Sequence, residues 1–97
     1  MHAKQRRYLR GLAHGLRAVV QVGQAGVSPA LLAELDRALA HHELVKVRLH
    51  SPEDKRASAR SLADLVGAEL CGIIGHTVIL YRPDLEVPLE SRKIRLP

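Results

Sequence analysis

Two periods of apolar spacing alternate along the chain. Tyr8, Leu9, Leu12, Ala13 and Leu16 recur at helical spacing, which predicts an amphipathic helix from about Ala3 to Leu16 with Tyr8 in the core. Gly15 is the expected stop, because glycine tolerates the left-handed conformation after a last turn. Val19 to Val22 is short and nearly all apolar, as a strand inside a sheet requires. A second helix is expected from Pro29 to about His42, with Ser28 as its cap and Leu31, Leu32, Leu35, Ala38 and Leu39 as its buried stripe. In Leu44 to Leu49, Val45, Val47 and Leu49 alternate with Lys46 and Arg48, so this strand has one apolar and one positive face.

Ser51, Pro52 and Asp54 spell a helix start, with Ser51 as the expected cap and Asp54 completing a capping box. Ala59, Leu62, Ala63 and Val66 form the third helix's apolar stripe, and Gly67 ends it. Ala68 to Ile74 and Thr77 to Arg82 read as strands joined by Gly75-His76, the glycine-first pair of a type II′ hairpin. Pro83 and Pro88 make residues 84–97 an irregular tail. The order is α-β-α-β-α-β-β. Right-handed crossovers favour parallel pairing of the early strands, and the hairpin closes antiparallel. The expected fold class is α/β, a single domain with a four-stranded mixed sheet and helices packed on it. Ninety-seven residues suit one modest core.

Charge adds direction to this outline. The net charge is +5, which favours a polyanionic partner. Lys4, Arg6, Arg7, Arg10 and Arg17 all precede the first acidic residue, Glu34, and beyond that point acids and bases balance. The whole excess therefore lies in the first third. Arg7, Arg10, His14 and Arg17 fall opposite the apolar stripe of the first helix, with Lys4 at its edge. That stripe is either a solvated face or an electrostatic one.

Between the first strand and second helix stands Gly23-Gln24-Ala25-Gly26. Two glycines three apart serve a tight turn with positive φ. They also place backbone N–H groups and a helix N-terminus at one exposed point, which suits a phosphate. KH domains clamp nucleic-acid backbone with a GXXG loop of this kind.

Other chemistry lacks support. No acidic pair is placed for acid–base work, and His2, His14, His41, His42, His50 and His76 are scattered without metal-ligand spacing. No Walker-type lysine or dinucleotide fingerprint follows the glycines. The expectation is a non-enzyme with no metal, no cofactor and no small-molecule substrate. Cys71 is the only cysteine, expected buried and inert, and a reducing compartment fits. No apolar run reaches membrane-helix length, and Arg10, His14 and Arg17 interrupt any secretory h-region, so a soluble cytoplasmic monomer is expected. With no Phe or Trp and two Tyr, base stacking of the RRM or OB kind has no platform. Backbone recognition by Arg and Lys fits better.

Several segments together resemble the YhbY family, the bacterial stand-alone form of the CRM RNA-binding domain. They are Lys4-Gln5-Arg6-Arg7-Tyr8-Leu9-Arg10-Gly11-Leu12-Ala13-His14, Val22 to Val27, His41-His42-Glu43-Leu44-Val45-Lys46-Val47, Ile74 to Pro83, and Ile94 to Pro97. The resemblance implies a fold related to the C-terminal domain of translation initiation factor 3. It also implies binding to ribosomal RNA in precursors of the large subunit, without catalysis. Carried over by position, Gly23, Gln24, Ala25 and Gly26 would form the RNA-contacting loop. This chain departs from the family in having no lysine at the loop's tip. Phosphate contacts would then draw on Lys4, Arg7, Arg10, Arg17, Lys46 and Arg48. Arg82 either joins them or serves the fold. One alternative is a protein-interaction module that docks an acidic partner through the basic first helix. Another is a duplex-DNA binder, which lacks a helix-turn-helix arrangement.

Overall fold

A computed structural model describes residues 1–23 and 26–97. The elements are α1 (Ala3–Ala13), β1 (Ala18–Val22), α2 (Pro29–His42), β2 (Leu44–Leu49), α3 (Lys55–Val66), β3 (Glu69–Ile74) and β4 (Thr77–Tyr81), followed by a 3-10 turn at Leu89–Ser91. The sheet order is β1-β2-β4-β3. β1 and β2 pair in parallel, while β4 is antiparallel to both β2 and β3. The mixed four-stranded α/β architecture expected from the pattern is the one observed.

Alternation along β2 divides the interior in two. Val45, Val47 and Leu49 face α2 and α3, where Val20, Leu31, Leu35, Leu39, Leu62 and Leu80 are also buried. Leu44 faces the other way, into a smaller cluster with Leu9, Ala13, Cys71, Ile79 and Tyr81, on which Ile94 and Leu96 of the tail pack. α1 therefore lies alone on one face, and the tail completes its cover.

Several boundaries differ from the expectation. α1 ends at Ala13, and Gly15 is not among the glycines with positive φ, which are Gly26, Gly67 and Gly75. The chain leaves the helix through a turn in which the Leu16 N–H donates to the Ala13 carbonyl at 3.0 Å. Leu16 thus falls outside the helix. Tyr8 is 42% exposed, not core, because only Leu9 and Ala13 of α1 are buried. Asp54, not Ser51, caps α3: its Oδ1 accepts from the Ala57 N–H at 3.1 Å. Ser51 has φ +39°, unlike the extended backbone of an N-cap. Gly67 ends α3 in the left-handed conformation, as expected.

Glu43, directly after α2, ties three parts together from a left-handed backbone with φ +65°. Its N–H donates to the Leu39 carbonyl at 2.8 Å, and its own carbonyl accepts from the Arg82 N–H at 2.9 Å. The side chain is buried, with Oε2 accepting from the Lys93 N–H at 3.4 Å. Such a conformation costs a non-glycine residue on the order of 1 kcal/mol or more, and the surrounding bonds hold it.

Candidate nucleic-acid interface

The glycine turn follows the carboxyl end of β1, where β2 also ends in register, Val22 beside Leu49. The Gly26 N–H donates to the Gly23 carbonyl at 3.0 Å, and Gly26 takes φ +76°, a conformation that favours glycine. Gln24 and Ala25 lie outside the described residues. Ser28 caps α2 from an extended backbone, its Oγ accepting from the Leu31 N–H at 3.1 Å. These bonds occupy several of the donors that the described residues bring to this point. Gly26 closes the turn, Pro29 has no N–H, Leu31 bonds the Ser28 hydroxyl and Leu32 the Ser28 carbonyl. Within the first turn of α2 the Ala30 N–H is the one donor that these bonds do not use. Among the described residues, the first turn of α2 adds little free donor capacity to this fixed point.

The expected cations do not gather at this turn. Arg48 is nearest: exposed on the α1 side of β2, it sits in register with Gln21. Lys46 lies toward the other end of β2, in register with Ala18, and its Nζ donates to the Leu16 carbonyl at 3.0 Å. Lys4 and Arg7 are exposed on the solvent side of α1. Arg17, beyond the helix, is exposed in the link to β1.

Arg10 turns toward β3, and its Nη1 donates to the Cys71 carbonyl at 2.8 Å. Arg82 stands at the opposite end of the sheet from the turn. Its Nη1 meets Asp36 Oδ1 at 2.7 Å and the Val66 carbonyl at 2.9 Å, and its Nη2 meets the Asp36 carbonyl at 3.0 Å. Arg82 therefore locks α2, α3 and β4 together. Among the described residues it is the one Arg or Lys within 4 Å of a side-chain carboxylate. The rest of the basic surface carries charge that no such acid neutralises.

Two basic concavities are seen only in three dimensions. One, of about 460 Å³, has a floor of Tyr8, Leu12, Leu16 and Val19 and a rim that includes Arg17, Lys46, Lys93 and Arg95. The other, of about 300 Å³, lies at the β3 edge between Arg6, Arg10, Lys55 and Arg56. Arg6, Lys55 and Arg56 are absent from the sequence-based set. Two signals pointed to them: a glycine inside a strand, Gly72, which marks a bulge or close approach, and a Lys-Arg pair at a helix start, where the dipole disfavours cations.

Burial pushes the Cys71 thiol up to about 11, reinforced by Glu69 and opposed by Arg10 and Arg6. The thiol is free and buried in the core, and its burial is as expected. Burial, then Glu43, also raises Tyr81. Among the described residues no three His, Cys, Asp or Glu side chains are grouped to hold a metal ion. Among the described residues no helix is long and apolar enough to cross a membrane.

The CRS1/YhbY (CRM) domain family matches residues 1–82. The chain belongs to this family. It is 38% identical to a Haemophilus influenzae "RNA-binding protein" over 99 aligned positions, covering 100% of this chain and 95% of that one. It is 35% identical to the Bacillus subtilis "Probable RNA-binding protein YqeI", covering 97% and 96% of the two chains. The solution structure of a hypothetical protein from Staphylococcus aureus superposes with a TM-score of 0.82 at 32% identity, over 100% of this chain and 99% of that one.

Proposed function

We propose that this protein is a non-catalytic RNA-binding domain that acts in the cytoplasm on ribosomal RNA in precursors of the large subunit. The observation that carries the reading is the surplus of cation with no acid beside it: a net charge of +5 concentrated in the first 17 residues. Family membership and the names of two relatives support the choice of RNA as the polyanion. The ribosomal part rests on the sequence resemblance alone. Recognition of this kind is driven by phosphate contacts and weakens steeply with salt. Gradient sedimentation of lysates tests the ribosomal part. Comigration with large-subunit precursors is expected, and a protein that stays at the top of the gradient in low salt would refute it. For the turn, Gln24→Asp with Ala25→Asp is expected to weaken RNA binding in a folded protein, because two carboxylates would repel phosphate. Unchanged affinity would remove the turn from the interface.

A second reading, docking of an acidic protein partner, is favoured by the groove whose floor is Tyr8, Leu12, Leu16 and Val19 and whose rim is cationic. Exposed apolar side chains gathered in one patch suit a protein partner better than phosphates. Competition separates the two readings. Displacement of bound ribosomal RNA by an acidic amphipathic peptide, lost in Leu12→Glu, would support the second.

A further inference from the structure

The β3 edge is built differently from the β1 edge. The β3–β4 register slips between Leu70 and Gly72, and the slip turns Cys71 and Gly72 toward the same side of the sheet. Cys71 packs beside Leu9. Gly72 lies under Arg10, where a Cβ would come within 2.5 Å of the Arg10 Cδ. The missing side chain gives the Arg10 stem its place across the edge, with Nη1 fixed on the Cys71 carbonyl.

One helical turn earlier on the same flank of α1, the Arg6 Nη1 donates to the Met1 carbonyl at 2.6 Å. From the other side of the sheet, α3 brings Lys55 and Arg56 in its first turn. The Lys55 Nζ donates to the Gly75 carbonyl at 3.1 Å. Four cations from two helices thus converge on one strand edge, and no carboxylate lines the cleft between them. Each of the three bonds named uses a single donor, although an arginine offers five and a lysine three. The heads are positioned while most of their hydrogen-bonding capacity stays available.

Two penalties accompany the arrangement. Like charges crowd together, and Lys55 and Arg56 sit at a helix N-terminus, whose positive partial charge a single cap carboxylate, Asp54, offsets. A bound anion relieves both. We propose that the β3-edge cleft is a second phosphate-binding site, which seats the sugar–phosphate backbone of RNA held also at the glycine-turn end of the sheet.

The geometry allows one molecule to reach both places. β1, β2 and β3 all point their carboxyl ends the same way. The two edges are three strand spacings apart, about 14 Å. The first turns of α3 lie between them, with Ser58 and Ser61 on the side of Gly23 and Gly26 and Lys55 and Arg56 on the side of the cleft.

This inference rests on the RNA reading, and the test separates the two. Arg56 is exposed and makes no hydrogen bond or ion pair among the described residues. A glutamate there also suits the helix dipole, so Arg56→Glu is expected to fold, as circular dichroism would verify. Arg37→Glu, on exposed α2, is the control of equal net charge. Binding of oligouridine RNA is measured for all three proteins across a salt series. Arg56→Glu is expected to bind more weakly than the control and to flatten the salt slope by about 0.7, one phosphate contact on a single strand. Equal affinities and slopes for Arg56→Glu and Arg37→Glu would overturn the cleft and leave the RNA reading standing. No binding by the unmodified protein would overturn both.

Discussion

On the side of the sheet covered by α2 and α3, burial is continuous from Val20 of β1 across β2 and β4 to Ala63 of α3. On the α1 side it stops short. Leu9, Ala13, Leu44, Ile79 and Tyr81 are enclosed, whereas Tyr8, Leu12, Leu16 and Val19 remain 40–49% exposed. The difference follows from covering area. Two helices span four strands, whereas a single helix of 11 residues leaves β1 open, and a tail without regular structure makes up only part of the shortfall. The first side holds the fold together, and the second offers surface to a partner. Lys46 and Arg48 project from β2 on the α1 side, while on the other side Arg82, the one arginine paired with a carboxylate among the described residues, bonds Asp36 and the Val66 carbonyl.

The largest expected effect tests the closed side. Leu35→Ala should cost about 2–5 kcal/mol in urea unfolding, the usual range for a fully enclosed leucine. A loss under about 1 kcal/mol would mean that this core can collapse around the gap.

Alkaline pH probes the enclosed part of the α1 side. Cys71 ionises near 9 in an unfolded chain and near 11 when folded. Between those values the native state holds a proton that the unfolded state has lost. Stability is therefore intact below about pH 9 and falls as pH rises toward 11, by on the order of 2–3 kcal/mol. Tyr81, also raised, acts in the same direction. Urea midpoints at about pH 8 and about pH 10.5 would measure the drop, and Cys71→Ala should shrink it.

Gly72→Ala comes next. The new methyl displaces the Arg10 stem and breaks its bond to the Cys71 carbonyl, for about 1.5 kcal/mol. Because the displaced guanidinium belongs to the β3 cleft, RNA affinity should fall as well. Loss of stability with RNA affinity intact would show that Arg10 serves only the fold. The smallest effect is expected on the open side: Leu12→Ala within about 0.5 kcal/mol of the parent protein. A loss near that of Leu35→Ala would erase the contrast between the two sides.

Much of this was legible along the chain. The alternation in Leu44–Leu49 sorted its side chains to the correct faces, and Ser28-Pro29 marked the start of α2 to the residue. Local chemistry decides such features. What stayed hidden depends on what a segment meets. Tyr8, Leu12 and Leu16 have the spacing of a buried stripe, yet the sheet beneath them runs out. Ser51 and Asp54 are both good caps, and the backbone leaving β2 chose between them. Arg10 read as one of a solvent-facing row, but it lies on the flank of α1 nearest β3, and only the register slip opposite Gly72 gives it a seat.

The family match ends at residue 82, but the interior does not. Ile94 and Leu96 close the cluster around Leu9 and Tyr81, and the Lys93 N–H is a partner of the buried Glu43 carboxylate, whose Oε1 has none among the described residues. A chain cut after residue 82 would keep every strand and α-helix. It would also lose part of its core and leave a carboxylate without its counterpart in an apolar setting. For this protein the segment that defines the family is shorter than the unit that folds, and relatives align over nearly the whole chain.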